Sequence, residues 1–438
     1  MRISRRLVAA AAAAGLVASA AAACGGDDGD KGGASGGTEL KGVKIEVAAK
    51  WTGPEEQNFR KVLAQFEKQT GATVTYASTG EDTDAYLGPR LEAKTPPDVA
   101  ILPQPGLLQQ YAAKGQLKPL ADDVVTEVQK NFSPYWKDLG SADGKTYGVL
   151  AKAAYKSIIW YRPQALADAG VQPPATWADL VKDAGTLQDA GTTPFALAAA
   201  SSDSWTLTDW FENVYLSQAG PDLYDKLAGH EIKWTDPSVA KALQTLAQVW
   251  GKPDFLAGGL AQATKTKFDG SVTDVFGSNK AAMVYGGDFA AANIATTKAK
   301  VGTDAKVFAF PKAGGTAPAL LGGDVAVAMK DGKGAMALMK FLASPEAGKT
   351  WAGIGGYLSP NKNVPPDSYS DPVAKQLIAQ MQAAGDAARY DMSDLAPAAF
   401  GGSPGKGEWE ALRYFVQHPS DVKGTQQRLE DEAAKAFK

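Results

Sequence analysis

Beyond residue 43 the chain alternates strand-forming runs with amphipathic helices, and that order admits few folds. Residues 43–49 are rich in β-formers. Pro54-Glu55-Glu56 then has the chemistry of a helix start, with proline in the first turn and acids facing the macrodipole. Phe59, Val62, Leu63 and Phe66 follow as one apolar face, and Gly71 ends the helix. Residues 72–77 read as a second strand, 84–93 as a helix, 99–102 as a third strand and 107–113 as another helix. This alternation predicts an α/β fold with a parallel, doubly wound sheet. Ligands of such sheets sit outside the carboxyl ends of the strands. The loops Lys50-Trp51-Thr52-Gly53, Thr79-Gly80-Glu81-Asp82 and Pro103-Gln104-Pro105-Gly106 are therefore expected to share one rim.

The pattern resumes further on. Residues 147–150 and 157–161 are strand-like, and a helical section extends to about residue 277. Residues 281–285 form a strand ending in Gly286-Gly287-Asp288, and Leu320-Leu321-Gly322-Gly323-Asp324 leads into a strand over 325–329 before a helical C-terminus. No repeat of fixed period is visible. A chain of 438 residues accommodates two large domains or three smaller ones.

The N-terminus reads as an address. Arg2, Arg5 and Arg6 precede an alanine-rich apolar run over residues 7–23, the layout of a secretory signal, which reaches Ala21-Ala22-Ala23-Cys24. That ending resembles a bacterial lipobox, with Ala21 where leucine is usual, and implies lipidation of Cys24; cleavage by ordinary signal peptidase after Ala23 is the alternative. Residues 24–39 are a Gly/Asp-rich tether with an r.m.s. span of roughly 20–24 Å. The expected location is the outer face of the cell membrane, held there by the lipid.

Counting excludes much chemistry. With 45 Lys plus Arg against 48 Asp plus Glu and no basic run, nucleic-acid binding is not expected. One cysteine permits no disulfide within the chain, and with two histidines, His230 and His418, it cannot complete a Cys/His zinc site. Gly401-Gly402-Ser403-Pro404-Gly405 matches G-x-S-x-G on paper but lacks the strand and helix of a nucleophile elbow. Gly348-Lys349-Thr350 lacks the first glycine of a phosphate loop. Neither metal nor cofactor is expected.

Several stretches together resemble the extracellular sugar-binding proteins of bacterial ABC importers, with the maltose-binding-protein type of fold. They are Trp51-Thr52-Gly53-Pro54-Glu55-Glu56, Pro97-Asp98-Val99-Ala100-Ile101-Leu102-Pro103-Gln104-Pro105-Gly106, Lys156-Ser157-Ile158-Ile159-Trp160-Tyr161, Pro174-Ala175-Thr176-Trp177, Ala281-Ala282-Met283-Val284-Tyr285-Gly286-Gly287-Asp288-Phe289 and Ser344-Pro345-Glu346-Ala347-Gly348. Gly322-Gly323-Asp324 and Tyr390-Asp391-Met392-Ser393-Asp394-Leu395-Ala396-Pro397 are most similar to the alpha-glucoside-binding branch, although Ala396 stands where methionine is commoner.

The resemblance implies two hinged lobes, each a doubly wound sheet flanked by helices, with three crossings near 148–153, 285–288 and 322–325. Lobe one would be residues 40–150 plus 289–321, and lobe two 151–288 plus 325–438. A monomer would capture a small carbohydrate, an alpha-glucoside or oligosaccharide, in the cleft and deliver it to an ABC permease without doing chemistry. Two other readings stay open. One is the same fold holding a charged solute, such as an anionic glycoside or a polyamine. The other is a secreted glycoside hydrolase using Asp288 and Asp324.

A sugar presents flat C–H faces and paired hydroxyls, which aromatic rings and planar polar groups respectively match. The aromatic candidates are Trp51, Trp205, Trp210, Tyr285 and Phe289; helical spacing places one of Trp205 and Trp210 in the core, with Trp205 favoured for the cleft. The polar candidates are Thr52, Glu81, Asp82, Gln104, Lys152, Asp209, Asp288, Gly323 through its backbone, Asp324, Arg389 and Asp391. Each has a plainer reading. Trp51 would cap the core, Asp288 and Asp324 would make Gly-Gly-Asp turns, and Asp391 would cap a helix. Glu55 reads as a helix-dipole partner.

Overall fold

The computed structural model describes residues 39–437. The expected signal segment, Cys24 and all of the tether but its last residue lie outside the described residues.

Strands β1 (Lys44–Ala49), β2 (Thr73–Ser78) and β3 (Val99–Leu102) are parallel, with β1 between the other two and Ala48 beside both Ala77 and Ala100. Helix α1 (Gly53–Thr70) joins β1 to β2 and buries Phe59, Val62, Leu63 and Phe66. Gly71 closes it at φ 75°, the left-handed conformation that favours glycine. Helices α2 (Thr83–Glu92) and α3 (Pro105–Ala113) complete this run, each starting at the carboxyl end of a strand.

The remaining strands depart from the all-parallel expectation. After a hairpin of β4 (Ser141–Ala142) and β5 (Lys145–Thr146) come β6 (Gly148–Tyr155), β7 (Ile158–Tyr161), β8 (Phe195–Ala196), β9 (Met283–Tyr285), β10 (Lys306–Ala309), β11 (Leu320–Ala328) and β12 (Arg389–Tyr390). One sheet runs β12-β11-β3-β1-β2 with β6 also paired to β11, and a second runs β10-β7-β9-β8. β11 is antiparallel to both β3 and β6, and β7 is antiparallel to β9. The result is a two-lobed α/β fold in which Lys156 and Ser157 alone separate β6 of one sheet from β7 of the other.

The sheets correct the expected partition. β10 lies within the stretch assigned to lobe one, yet it pairs with β7 in the second sheet. Val325–Ala328 pairs with β3 in the first sheet, and the helices Lys333–Leu342 and Pro345–Ile354 pack on β1 and α1, although all were assigned to lobe two. The reason is that β11 is buried along its whole length and finds an apolar partner beside β3. Separate apolar cores lie under the two sheets, one including Val47, Phe59 and Trp351, the other Trp210, Leu243 and Trp250. Among the described residues no helix is long and apolar enough to cross a membrane.

Candidate functional site

The rim loops converge on a cavity of about 260 Å³. Lys50, Trp51, Thr52 and Glu55 border it from the end of β1 and the start of α1, Glu81 from the loop after β2, and Gln104 from the loop after β3. Lys152, Gly323 and Asp324 supply the floor from β6 and β11. The opposite wall carries Trp205, which opens the helix Trp205–Ala219, together with Lys267, Phe268 and Phe289. Asp391, Ser393 and Asp394 enter from the short helix Met392–Leu395 and its cap.

Of the residues singled out from sequence, Trp51, Thr52, Glu81, Gln104, Lys152, Trp205, Phe289, Gly323, Asp324 and Asp391 meet here. Trp205 forms an aromatic wall with Phe268 and Phe289, ring centroids 5.0 and 5.7 Å away. Trp51 borders the cavity but is only 2% exposed, set edge-on against Phe59 and Trp351, so it offers little open face.

Six candidates lie elsewhere. Trp210 is in the core among Trp177, Phe195 and Phe310, on the buried side of the helix whose first residue is Trp205. Tyr285 is buried and donates to the Lys156 carbonyl at 2.7 Å. Asp288 is buried and accepts the Tyr155 N–H at 2.8 Å. Asp209 is fully buried beneath the cleft. Asp82 caps α2, accepting the Ala85 N–H at 2.9 Å, and Arg389 pairs with Asp225 at 2.7 Å. Core packing, backbone hydrogen bonds, a helix cap and ion pairs with Asp225 and Lys156 took these six side chains.

Lys156 is the principal residue that sequence reasoning missed. Its ammonium holds Asp391 at 2.5 Å, Asp209 at 3.2 Å and Asp394 at 3.4 Å, all of them buried or nearly so. Burial opposes the charge of Lys156, but these carboxylates outweigh it and lift its pKa well above the ordinary value. For Asp391, burial is likewise overcome by Lys156 and by hydrogen bonds, holding it well below the carboxylate range. Asp394 is pushed up to about 7 by burial and by Asp391, and Glu81 to about 7 by burial. The available signal was a lysine inside an apolar run, which demands acidic partners.

Glu55 also exceeds its expected dipole role, since it forms an ion pair with Lys152. Gln104 spans to the other side, donating to the Gly401 carbonyl at 3.2 Å. A Cβ on Gly402 would lie 2.0 Å from the Gln104 Oε1, so this glycine is required for that approach. Ser403, the centre of the discarded elbow motif, donates to the Ala398 carbonyl and is buried.

Two lobes around a cleft lined by aromatic rings and charged side chains are the architecture of a receptor that surrounds a small solute. The chain belongs to the family of bacterial extracellular solute-binding proteins, whose pattern matches residues 51–349. It is 31% identical over 377 residues to the osmoprotective compounds-binding protein GgtB of Synechocystis, covering 84% of this chain and 88% of that one. It is 32% identical over 380 residues to the alpha-glucosides-binding periplasmic protein AglE of Rhizobium meliloti, covering 83% and 82%. In fold it resembles the solute receptor AcbH, described with a preference for β-D-galactopyranose, at a TM-score of 0.79 and 20% identity over 90% of this chain and 100% of that one. The raffinose complex of RafE gives 0.73 and 17% over 90% and 100%.

Proposed function

We propose that this protein captures a small neutral carbohydrate, an alpha-glucoside or short oligosaccharide, in the cleft and passes it unchanged to an ABC permease, while a lipid on Cys24 keeps it at the outer face of the cell membrane. One observation carries the reading. Beside the Trp205–Phe289 wall, the side chains of Glu81, Asp324, Lys50 and Lys267 have no hydrogen bond or ion pair among the described residues. Two carboxylates and two ammoniums left open suit hydroxyls, which both donate and accept, whereas an ionic solute would oppose two of the four. An unmatched buried polar group costs ~1–3 kcal/mol, so such a set selects for a polyol that satisfies it. The relative named for alpha-glucosides supports the same class.

The hydrolase reading loses its proposed pair, because Asp288 serves Tyr155 and does not border the cleft. A thermal-shift screen with trehalose, maltose, sucrose and charged glycosides tests the proposal. A true ligand at ~100 times its dissociation constant adds about 2.7 kcal/mol of stability. Stabilisation by neutral alpha-glucosides, with no glucose released, is the expected result. A shift produced only by charged solutes would overturn it.

A further inference from the structure

Lys152 on β6 and Asp324 on β11 are directly opposed in the antiparallel pairing. Such partners project to the same face with Cβ atoms ~4.5–5.5 Å apart, so an ion pair between them is the default. It does not form. The Lys152 ammonium instead pairs with Glu55, in the first turn of α1, and lies 5.6 Å from the ring centroids of both Trp51 and Phe289. Lys50 and Lys156 also favour the charged form of Asp324 through space, but neither forms an ion pair with it. Lys156 is held by Asp391, Asp209 and Asp394, and the Lys50 ammonium lies 5.9 Å from the Trp205 ring centroid. Asp324 is left with no hydrogen bond or ion pair among the described residues, at the point where the β6–β11 register shifts.

Resting on the carbohydrate reading above, we propose that Glu55 is a positioning residue: it draws the Lys152 ammonium off Asp324 and so leaves that carboxylate open to the ligand's hydroxyls. A carboxylate engaged by an opposed lysine has fewer lone pairs to offer a vicinal diol, and its strong charge-assisted bonds are already spent. Glu55 then governs affinity without touching the sugar.

The test is a double-variant series titrated calorimetrically with maltose and trehalose, at about pH 8.5 to keep the raised carboxylates ionised. Glu55→Gln releases Lys152 toward Asp324 and is expected to weaken binding about tenfold or more. Adding Lys152→Met removes the competing ammonium, and most of the lost affinity should return. Were Glu55 a direct ligand contact, the double variant would bind no better than Glu55→Gln, and the proposal would be overturned. Should Glu55→Gln fail to fold, Glu55→Asp, which only shortens the reach to Lys152, carries the same comparison. A crystal structure of the sugar-free Glu55→Gln protein gives a readout independent of any ligand. Lys152 Nζ within hydrogen-bond distance of Asp324 is expected, and Lys152 remaining away from it overturns the proposal even if the carbohydrate reading itself has failed.

Discussion

Replacing Lys156 by methionine removes one ammonium from three carboxylates and leaves them facing one another. Asp209 and Asp391 are fully buried, and Asp394 is largely so. Deleting one partner of a buried ionic set costs ~3–5 kcal/mol, because the survivors keep their desolvation penalty. With an unfolding entropy of about 2.1 cal/mol/K per residue over roughly 400 residues, that loss lowers Tm by about 4–6 °C.

The pH dependence has a definite sign. Burial and neighbouring carboxylates already raise Asp394 to about 7 and Asp209 well above its usual range. A carboxyl whose folded pKa is raised takes up a proton on folding, so stability falls as pH rises from the unfolded value toward the folded one. Without Lys156, Asp394 and Asp209 rise further, Asp391 loses the charge that holds it low, and their repulsion is relieved only by protonation. Differential scanning calorimetry should therefore show a larger Tm deficit near pH 8 than near pH 5. Asp391→Asn in the Lys156→Met background should recover part of the loss. A variant melting within ~1 °C of the parent at pH 8, or one with a larger deficit at pH 5, would refute the network.

Trp205→Ala should weaken maltose binding with little change in Tm, whereas Trp210→Ala, which empties a core site, should cost ~3–5 kcal/mol of stability; equal effects on both readouts would dissolve the distinction between wall and core. Sugar affinity should fall as pH drops through about 7, because Glu81 titrates there and becomes a weaker acceptor when protonated; Glu81→Gln should flatten that profile in calorimetric titrations. Cys24→Ala should shift the protein from the membrane fraction to the medium, read by immunoblot of the producing cells, and unchanged membrane retention would remove the lipid anchor.

The parallel strands, α1 and the rim loops were legible because their evidence is local. Phe59, Val62, Leu63 and Phe66 announce a helix face, and Gly71 its end, within twenty residues. The carboxyl-end rule then placed Thr52, Glu81 and Gln104 at one cavity. Lys156 was not legible, because its partners lie 53 and 235 residues away and only the folded chain joins them. Trp205 and Trp210 share a helix, so spacing showed that their surroundings differ, while the partners of each emerged only from packing. Asp82 and Asp288 failed for a third reason. A short acid beside a turn serves backbone N–H groups as readily as a ligand, and here it does the former. Lobe membership failed at β11, whose nine buried residues continue past the expected crossing into the first sheet.

The ionic set around Lys156 also bears on why the cleft can discriminate among solutes. Apolar residues of similar volume would often stabilise such a site as well or better, so stability alone does not account for it. Its geometry does suggest an account. Lys156 stands where β6 gives way to β7; Asp209 comes from the helix Trp205–Ala219, and Asp391 and Asp394 from the cap and body of Met392–Leu395. One ammonium therefore joins three segments, and these same segments carry Lys152, Trp205 and Ser393 to the cavity. Hydrogen bonds are directional where apolar contacts are not, so this joint fixes orientation as well as distance. A sugar entering the cleft then meets groups already in place, and its binding energy is not consumed in ordering them.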